Sequence, residues 1–264
     1  MGTRPSAVAG MFYPGEAKQL TAAVEAYLAD AHHIAPQSQP PPKAVIAPHA
    51  GYQYSGPIAG SAYSSLLPNA KGIERVILVG PSHRVPFAGM AASRAAAFAT
   101  PLGAVPVDRD TIEGLLKEGM IQENDAAHAR EHSLEVHLPF VQRVFPGARV
   151  VPLLVGDQDH SSVAAILARL WGGPETVIVV SSDLSHYHDY TTACRLDRET
   201  AATIEARRAG AVDFDRACGA TPVNALLQIA ADKGLSAATI DLRNSGDTAG
   251  PRDEVVGYGA FVFG

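Results

Sequence analysis

Three short apolar runs in this chain each end in a turn, and histidine follows within a few residues. The runs and their histidines are Val45–Ala47 with His49, Val76–Val79 with His83, and Val177–Val180 with His186 and His188. Continuous apolar runs bounded by turn residues are typical of strands that are buried on both faces of a parallel sheet. Ligands of open α/β sheets bind beyond the carboxyl ends of the strands, so we expect these histidines to share one site.

The remaining pattern alternates amphipathic segments with further apolar runs. Helices are predicted over residues 15–33, 55–67, 108–117, 131–145, 160–170, 192–208 and 219–233, and further strands over residues 149–155, 238–243 and 255–263. Residues 85–106 have a weaker pattern, which is typical of a hairpin or of irregular strands. Strands that alternate with helices predict an α/β three-layer sandwich, with helices on both faces of a mostly parallel or mixed central sheet.

A proline-rich stretch over residues 34–43 predicts an extended connector. The roughly 30 residues that precede it are too few to form a core of their own. We therefore predict a single domain over residues 1–264.

Composition excludes several classes of function. The chain is 47% hydrophobic and 18% charged, which favours a folded domain over disorder. Its net charge of −6, without a block of basic residues, argues against nucleic acid or an anionic membrane as a partner. The two cysteines are too few for a disulfide framework and favour a reducing cytoplasm.

Imidazoles gathered at several strand ends usually indicate a metal site. His132 and His137 lie in the predicted helix 131–145, where a spacing of five residues places them about 140° apart. We therefore assign His132 to the site and His137 to packing or to a supporting role behind it. Glu131 and Glu135 share one face of that helix, and we expect that face to be solvated.

Two other residues could contribute chemistry. Cys218 comes just before an apolar helix, and a thiol at a helix N-terminus has a favoured thiolate that can bind a metal or react. A buried, inert thiol is the alternative interpretation. Asp183 could orient a histidine or assist proton transfer, or it could simply cap a helix.

Five motifs in order resemble the Memo family, whose prokaryotic members are also called AmmeMemoRadiSam system protein B. The motifs are Pro48-His49-Ala50-Gly51-Tyr52, Gly80-Pro81-Ser82-His83, residues 131–140, Ser182-Asp183-Leu184-Ser185-His186-Tyr187 and Cys218-Gly219-Ala220-Thr221-Pro222. The likeness extends from Arg4-Pro5 to Gly257-Tyr258-Gly259, which is nearly the whole chain. In fold, that family resembles the class III extradiol dioxygenases.

The resemblance implies a set of roles for these residues. Those dioxygenases hold Fe(II) with two histidines and a glutamate, and here His49, His83 and Cys218 stand in the corresponding places. The Leu-Ser-His motif implies that His186 is a base, and His132 resembles a further active-site histidine. Replacing the carboxylate with a thiolate gives a softer site that could also hold copper or zinc.

The resemblance therefore implies a metal-binding protein with a non-haem-iron site, and an Fe(II)-dependent oxygenase acting on a small, chelating, catechol-like substrate. Tyr52 and Tyr54 are the candidates for lining its entrance. The alternatives are a non-enzymatic iron-, copper- or peptide-binding regulatory protein and, with less support, a zinc-dependent hydrolase. The family name also implies AMMECR-type and radical SAM proteins as partners.

Overall fold

The computed structural model describes residues 2–31 and 42–264. The strands are β1 (Thr3–Arg4), β2 (Ala44–Ala47), β3 (Arg75–Pro81), β4 (Met90–Ala92), β5 (Ala97–Thr100), β6 (Gly103–Pro106), β7 (Gln122–Glu123), β8 (Arg149–Val155), β9 (Thr176–Ser181), β10 (His186–His188), β11 (Ala237–Asn244) and β12 (Val255–Phe263). The α-helices are α1 (Ala17–Ala29), α2 (Tyr52–Ser64), α3 (Arg109–Lys117), α4 (Asp125–Ala129), α5 (Leu138–Val144), α6 (His160–Arg169), α7 (Tyr190–Glu205) and α8 (Ala220–Asp232).

The main sheet is mixed, with a parallel centre. Its strands follow the order β10-β12-β2-β9-β3-β8-β4-β7, and β11 pairs with β12. The four central strands β2, β9, β3 and β8 run parallel, whereas β12 and β4 join them antiparallel. The apolar runs of these central strands are almost completely buried, as continuous hydrophobic strands require. A second sheet of three strands has the order β1-β5-β6.

Helices cover the main sheet. Helix α2 packs against α1, α5 and strands β2, β11 and β12, whereas α8 packs against α6 and strands β3 and β9. The buried hydrophobic residues of sheet and helices form one contiguous cluster. The predicted α/β sandwich with a mixed central sheet is confirmed. Within the described ranges, no helix is long and apolar enough to cross a bilayer.

The predicted helix over residues 131–145 is wrong in its first half. Residues 131 and 132 have no regular structure, residues 133 and 134 form a turn, residues 135–137 form one turn of 3-10 helix, and α5 begins only at Leu138. The carboxylate of Glu131 accepts the backbone N–H groups of His132 and Ser133, at 2.9 Å each. These bonds satisfy the local backbone in a turn, in competition with the helical hydrogen-bond pattern.

Other boundaries shift by a few residues. Helix α2 begins at Tyr52, three residues before its predicted start, and α1 ends at Ala29. The last two residues of the predicted first helix and most of the connector, residues 34–41, lie outside the described residues. The weak pattern over residues 85–106 contains one hairpin, β5–β6, and the separate strand β4, which pairs with β8. Strand β10 was not predicted.

Candidate metal centre

The topology brings the predicted strand ends together. Strands β2, β9 and β3 are neighbours and parallel, so their carboxyl ends lie at one edge of the sheet. His49 follows β2, Asp183 follows β9, and His83 follows β3. This arrangement places three chemically active side chains at the position where open α/β sheets bind ligands.

Three histidines form a compact cluster at this edge. Ring nitrogens of His49, His83 and His132 all lie within 4.8 Å of one another, and in the part of the chain that is described they are the group of three that could hold a metal ion. Their ring centroids are 4.8–5.4 Å apart. His132 comes from the segment before α5, not from a helix, and its ring lies in the cluster with His49 and His83.

The Nδ1 atoms of these histidines are turned towards the protein. His49 Nδ1 lies 2.6 Å from Ser181 Oγ, and His83 Nδ1 lies 3.0 Å from Glu131 Oε1. His132 Nδ1 lies 3.1 Å from the same Oε1, but this buried nitrogen lacks the alignment of a hydrogen bond. Histidines that bind a metal usually anchor the other ring nitrogen in this way, and here Nε2 remains as the ligand atom. The cluster therefore fits a metal ion.

Glu131 is the common anchor of the cluster, which corrects the expectation of a solvated face. It is only 2% exposed, and it accepts hydrogen bonds from the backbone and the ring of His83 and from two further backbone N–H groups. Burial alone would raise the pKa of Glu131. The contacts with His132 and His83 outweigh burial and hold that pKa well below its usual range. The residue is therefore a buried carboxylate anion.

Glu135 is also buried, and the solvated-face prediction is wrong for it too. Its carboxylate pairs with Arg4 at 2.5 Å and accepts the hydroxyl of Tyr13 at 2.7 Å and backbone N–H groups of Ala7 and Val8. Glu135 thereby fastens the N-terminal segment against the turn that carries His132, which is a structural role.

His49 is held neutral in the metal-free protein. Its ring is 2% exposed, and burial lowers its pKa well below the ordinary value. The nearby His83 and His132 lower the same pKa further because a second positive charge there would be repelled. A neutral imidazole keeps the lone pair that a metal ligand needs.

Cys218 lies beside this cluster, in the loop just before α8. Its Sγ is 3.3 Å from His49 Nε2 and 3.7 Å from the carbonyl oxygen of Asp183. Among the described residues, the ligand atoms that all lie within 4.8 Å of one another are those of His49, His83 and His132. The sulfur of Cys218 does not belong to this group. Burial, and then the charge of Asp183, raise the pKa of the thiol to about 12. Burial therefore outweighs the helix N-terminus in the metal-free protein, which favours the buried, protonated thiol of the two interpretations.

Asp183 and His186 complete the inner wall. Asp183 Oδ1 accepts the backbone N–H of His49 at 2.7 Å, and Oδ2 lies 4.0 Å from His49 Nε2. Burial raises the pKa of Asp183. His186 Nδ1 lies 2.7 Å from the carbonyl oxygen of Leu184. Since a carbonyl oxygen only accepts, this Nδ1 carries the proton, and Nε2 holds the lone pair.

A cavity of about 1080 Å³ opens over these groups. Its wall includes the predicted site residues His49, His83, His132, Asp183, His186, Cys218 and Tyr54. Tyr52 does not line it. That ring is buried in the core, and its hydroxyl donates to the carbonyl oxygen of Val136 because a buried phenol needs an acceptor.

The cavity wall also contains aromatic residues that we did not predict. Tyr187 and Phe214 are 72% and 70% exposed, and Phe12 packs against the His132 ring with centroids 4.7 Å apart. Tyr187 has a φ of 59°, at a register shift between β10 and β12. The exposed ring of Tyr187, held on left-handed backbone at the cavity, is a candidate for contacting a bound molecule. In the sequence, Tyr187 lies between His186 and His188, and this position is the signal that could have predicted its place on the cavity wall.

Fold and site together define an α/β protein with a possible three-histidine metal site at the carboxyl edge of its sheet. A family model described as Memo-like protein matches residues 4–262. A MEMO1 family protein of Pyrobaculum arsenaticum is 34% identical, with 100% of this chain and 99% of the relative covered. Its counterpart in Methanopyrus kandleri is 33% identical with 98% of each chain covered, and that of Aquifex aeolicus is 32% identical with 100% of each covered. The chain belongs to the Memo family.

Proposed function

We propose that this Memo-family protein binds Fe(II) at the edge of its sheet and acts as an oxygenase or related redox enzyme on a small, chelating, catechol-like substrate. The observation that carries the proposal is the cluster itself. Three imidazoles, of which His49 and His83 have a hydrogen-bonded Nδ1, meet beside a thiol and a further histidine on the wall of one cavity. Two imidazoles and one carboxylate with open positions suit Fe(II) and O2 chemistry, and here a thiol or a third imidazole stands in the place of the carboxylate.

His49 and His83 are the ligands in either arrangement of the site that we consider. Cys218 is the third ligand that the family resemblance implies, and its sulfur lies close to His49 Nε2. His132 is the third ligand that the mutual distances favour. The two arrangements differ in softness, since a thiolate would favour copper or zinc more than a third imidazole does. Cys218→Ser and His132→Asn, compared for Fe(II), Cu(I) and Zn(II) affinity, distinguish them.

Iron would supply O2 binding and a positive charge that favours deprotonation of a chelating hydroxyl group. The chain itself would move the proton. The Nε2 lone pair of His186 makes it the general base on the cavity wall, and the raised pKa of Asp183 makes that carboxyl a group that could hold a proton nearby. The buried cluster and the ring of Phe12 would exclude water from the inner end of the cavity.

The test is anaerobic loading with Fe(II), followed by O2 uptake across a panel of catechols. We expect uptake with the native protein, and loss of uptake with retained iron in His186→Ala. His160→Ala is the matched control because His160 lies at the start of α6 and does not line this cavity. Iron binding without O2 uptake for any catechol would refute the oxygenase proposal.

A non-enzymatic binding role is the second candidate, and the exposed aromatic rings at the rim favour it. Tyr187 and Phe214 offer a surface that a peptide or a partner protein could cover. The AMMECR-type and radical SAM proteins implied by the family name are the partners we would test. Binding of either protein that survives His186→Ala and fails in Tyr187→Ala would support this second role.

A further inference from the structure

The hydroxyl of Ser181, at the end of β9, contacts three polar atoms at once. Its Oγ lies 2.6 Å from His49 Nδ1, 2.6 Å from the carbonyl oxygen of Ser133, and 3.0 Å from His137 Nε2. All four residues are buried, and Ser181 is 0% exposed. These contacts are therefore the hydrogen-bonding environment of the hydroxyl.

Counting hydrogens assigns a direction to each contact. A serine hydroxyl has one hydrogen and two lone pairs, and a carbonyl oxygen can only accept. Two oxygens only 2.6 Å apart need a hydrogen between them, so Ser181 donates to the carbonyl of Ser133. The two lone pairs of Oγ must then accept N–H from His49 Nδ1 and from His137 Nε2.

We infer that Ser181 is a positioning residue that fixes His49 in the tautomer protonated at Nδ1, which leaves Nε2 as the nitrogen that faces the cavity with a lone pair. His137 has a related part, because its Nε2–H occupies the remaining lone pair of Oγ and keeps the hydroxyl from turning. The consequence for metal binding depends on the function proposed above, but the tautomer itself does not.

The close packing around Ser181 favours this single arrangement. A Cβ at Gly80, on the neighbouring strand β3, would lie 3.1 Å from the Cβ of Ser181 and 3.2 Å from the hydroxyl of Ser133. The glycine therefore makes room for the serine and for the turn that presents the Ser133 carbonyl. Because the acceptor is a backbone atom held by this packing, the hydrogen of Ser181 has a fixed destination.

The direct test is long-range 15N–1H correlation NMR of the metal-free protein, kept in chelator, with the His49 signals identified by their loss in His49→Gln. We expect a protonated-type shift for Nδ1 and an unprotonated-type shift for Nε2 of His49, and the reverse for His137. A His49 ring protonated at Nε2 alone would overturn the inference. This measurement needs no iron, so its failure is distinct from a failure of the oxygenase proposal.

Ser181→Ala tests the positioning role. It should mix the two His49 tautomers and weaken Co(II) and Zn(II) binding by about 10- to 100-fold, the usual effect of losing an outer-shell partner. Ser61→Ala is the matched control, since Ser61 is also buried but bonds to Asp241, on strand β11. An unchanged tautomer and unchanged affinity in Ser181→Ala would overturn the inference. If Ser181→Ala does not fold, the tautomers of the native protein still decide the question.

Discussion

Replacing Glu131 with glutamine tests whether this buried carboxylate holds the histidine cluster in place. The carboxylate accepts four hydrogen bonds: the backbone N–H of His83 at 2.5 Å, its Nδ1 at 3.0 Å, and two backbone N–H groups at 2.9 Å each. Glutamine has nearly the same shape but only one acceptor oxygen. Its amide nitrogen would therefore face at least one N–H group that now has an acceptor.

The magnitude follows from these bonds. Losing one charge-assisted bond while a donor stays buried costs about 2 kcal/mol, and weakening of the other three adds about 1–2 kcal/mol. A neutral amide is easier to bury than a carboxylate, which offsets part of this loss. We therefore expect Glu131→Gln to lower the free energy of unfolding by about 2–3 kcal/mol. Metal affinity should fall about 10- to 100-fold because His83 loses its anchor.

Urea denaturation measures the first effect, and titration with Co(II) measures the second. The pKa of Glu131 lies well below its ordinary value of 4.5 in the folded protein, so its stabilisation is complete above that pH and is lost as the pH falls further. Glu131→Gln should therefore lose less stability on acidification than the native protein does. The control is Glu16→Gln, at an exposed position. A stability loss no larger than that of the control would refute the anchoring argument.

Three further predictions concern acid stability, backbone strain and packing. His128 is buried with its pKa lowered to about 4 by burial, so the unfolded chain binds its proton first and stability falls as the pH drops from about 6.5 to 4. Urea denaturation of His128→Gln at pH 7 and 5 should remove about 2 kcal/mol of that fall, and an unchanged fall would contradict the assignment. Tyr187→Gly should relieve the positive φ of residue 187 and so raise the free energy of unfolding by up to about 1 kcal/mol. The same change should weaken the binding of 4-nitrocatechol to the iron-loaded protein. A Tyr187→Gly variant that is less stable than the native protein would argue against strain at this residue. In thermal denaturation, Gly60→Ala should lower the stability of the protein by about 2 kcal/mol or more, because a Cβ at residue 60 would meet the backbone of Tyr27. Gly114→Ala, in open space on α3, should raise the stability by up to about 1 kcal/mol. Equal effects of the two changes would contradict the close packing of Gly60 against Tyr27.

Hydrophobic patterning was sufficient to predict the central strands of the sheet and the convergence of His49 and His83 at its carboxyl edge. The central strands are continuous apolar runs, and a parallel sheet puts their carboxyl ends at one edge whatever the details of the helices. The positions of His49 and His83 could therefore be predicted without knowledge of any contact. The family resemblance supplied the roles of His186 and Cys218, which remain proposals.

Long-range contacts explain what the pattern did not predict. Glu131 and Glu135 resemble solvated positions because their partners are far along the chain: His83 is 48 residues from Glu131, and Arg4 is 131 residues from Glu135. The same carboxylate of Glu131 shapes the turn that replaces the first half of the predicted helix. Periodicity along a segment has no information about such partners, so both the turn and the anchor required the structure.

The thiol of Cys218 shows the same limit for electrostatics. Its position before α8 suggested a stabilised thiolate. How deeply the thiol is buried, which decides its pKa, could not be predicted from the spacing of residues in the sequence. Burial outweighs the helix end, so the thiol is protonated until something replaces its proton. A metal ion would do so, since metal binding to cysteine releases that proton.

The most direct test of the account is the stoichiometry of metal bound to protein loaded with Fe(II) under anaerobic conditions, measured by elemental analysis after removal of free metal. We expect one iron per chain in the native protein and in His160→Ala, and loss of iron in His49→Ala and in His83→Ala. Binding that both cluster variants retain in full, or a native protein that holds no iron, would contradict a metal centre at the carboxyl edge of this sheet.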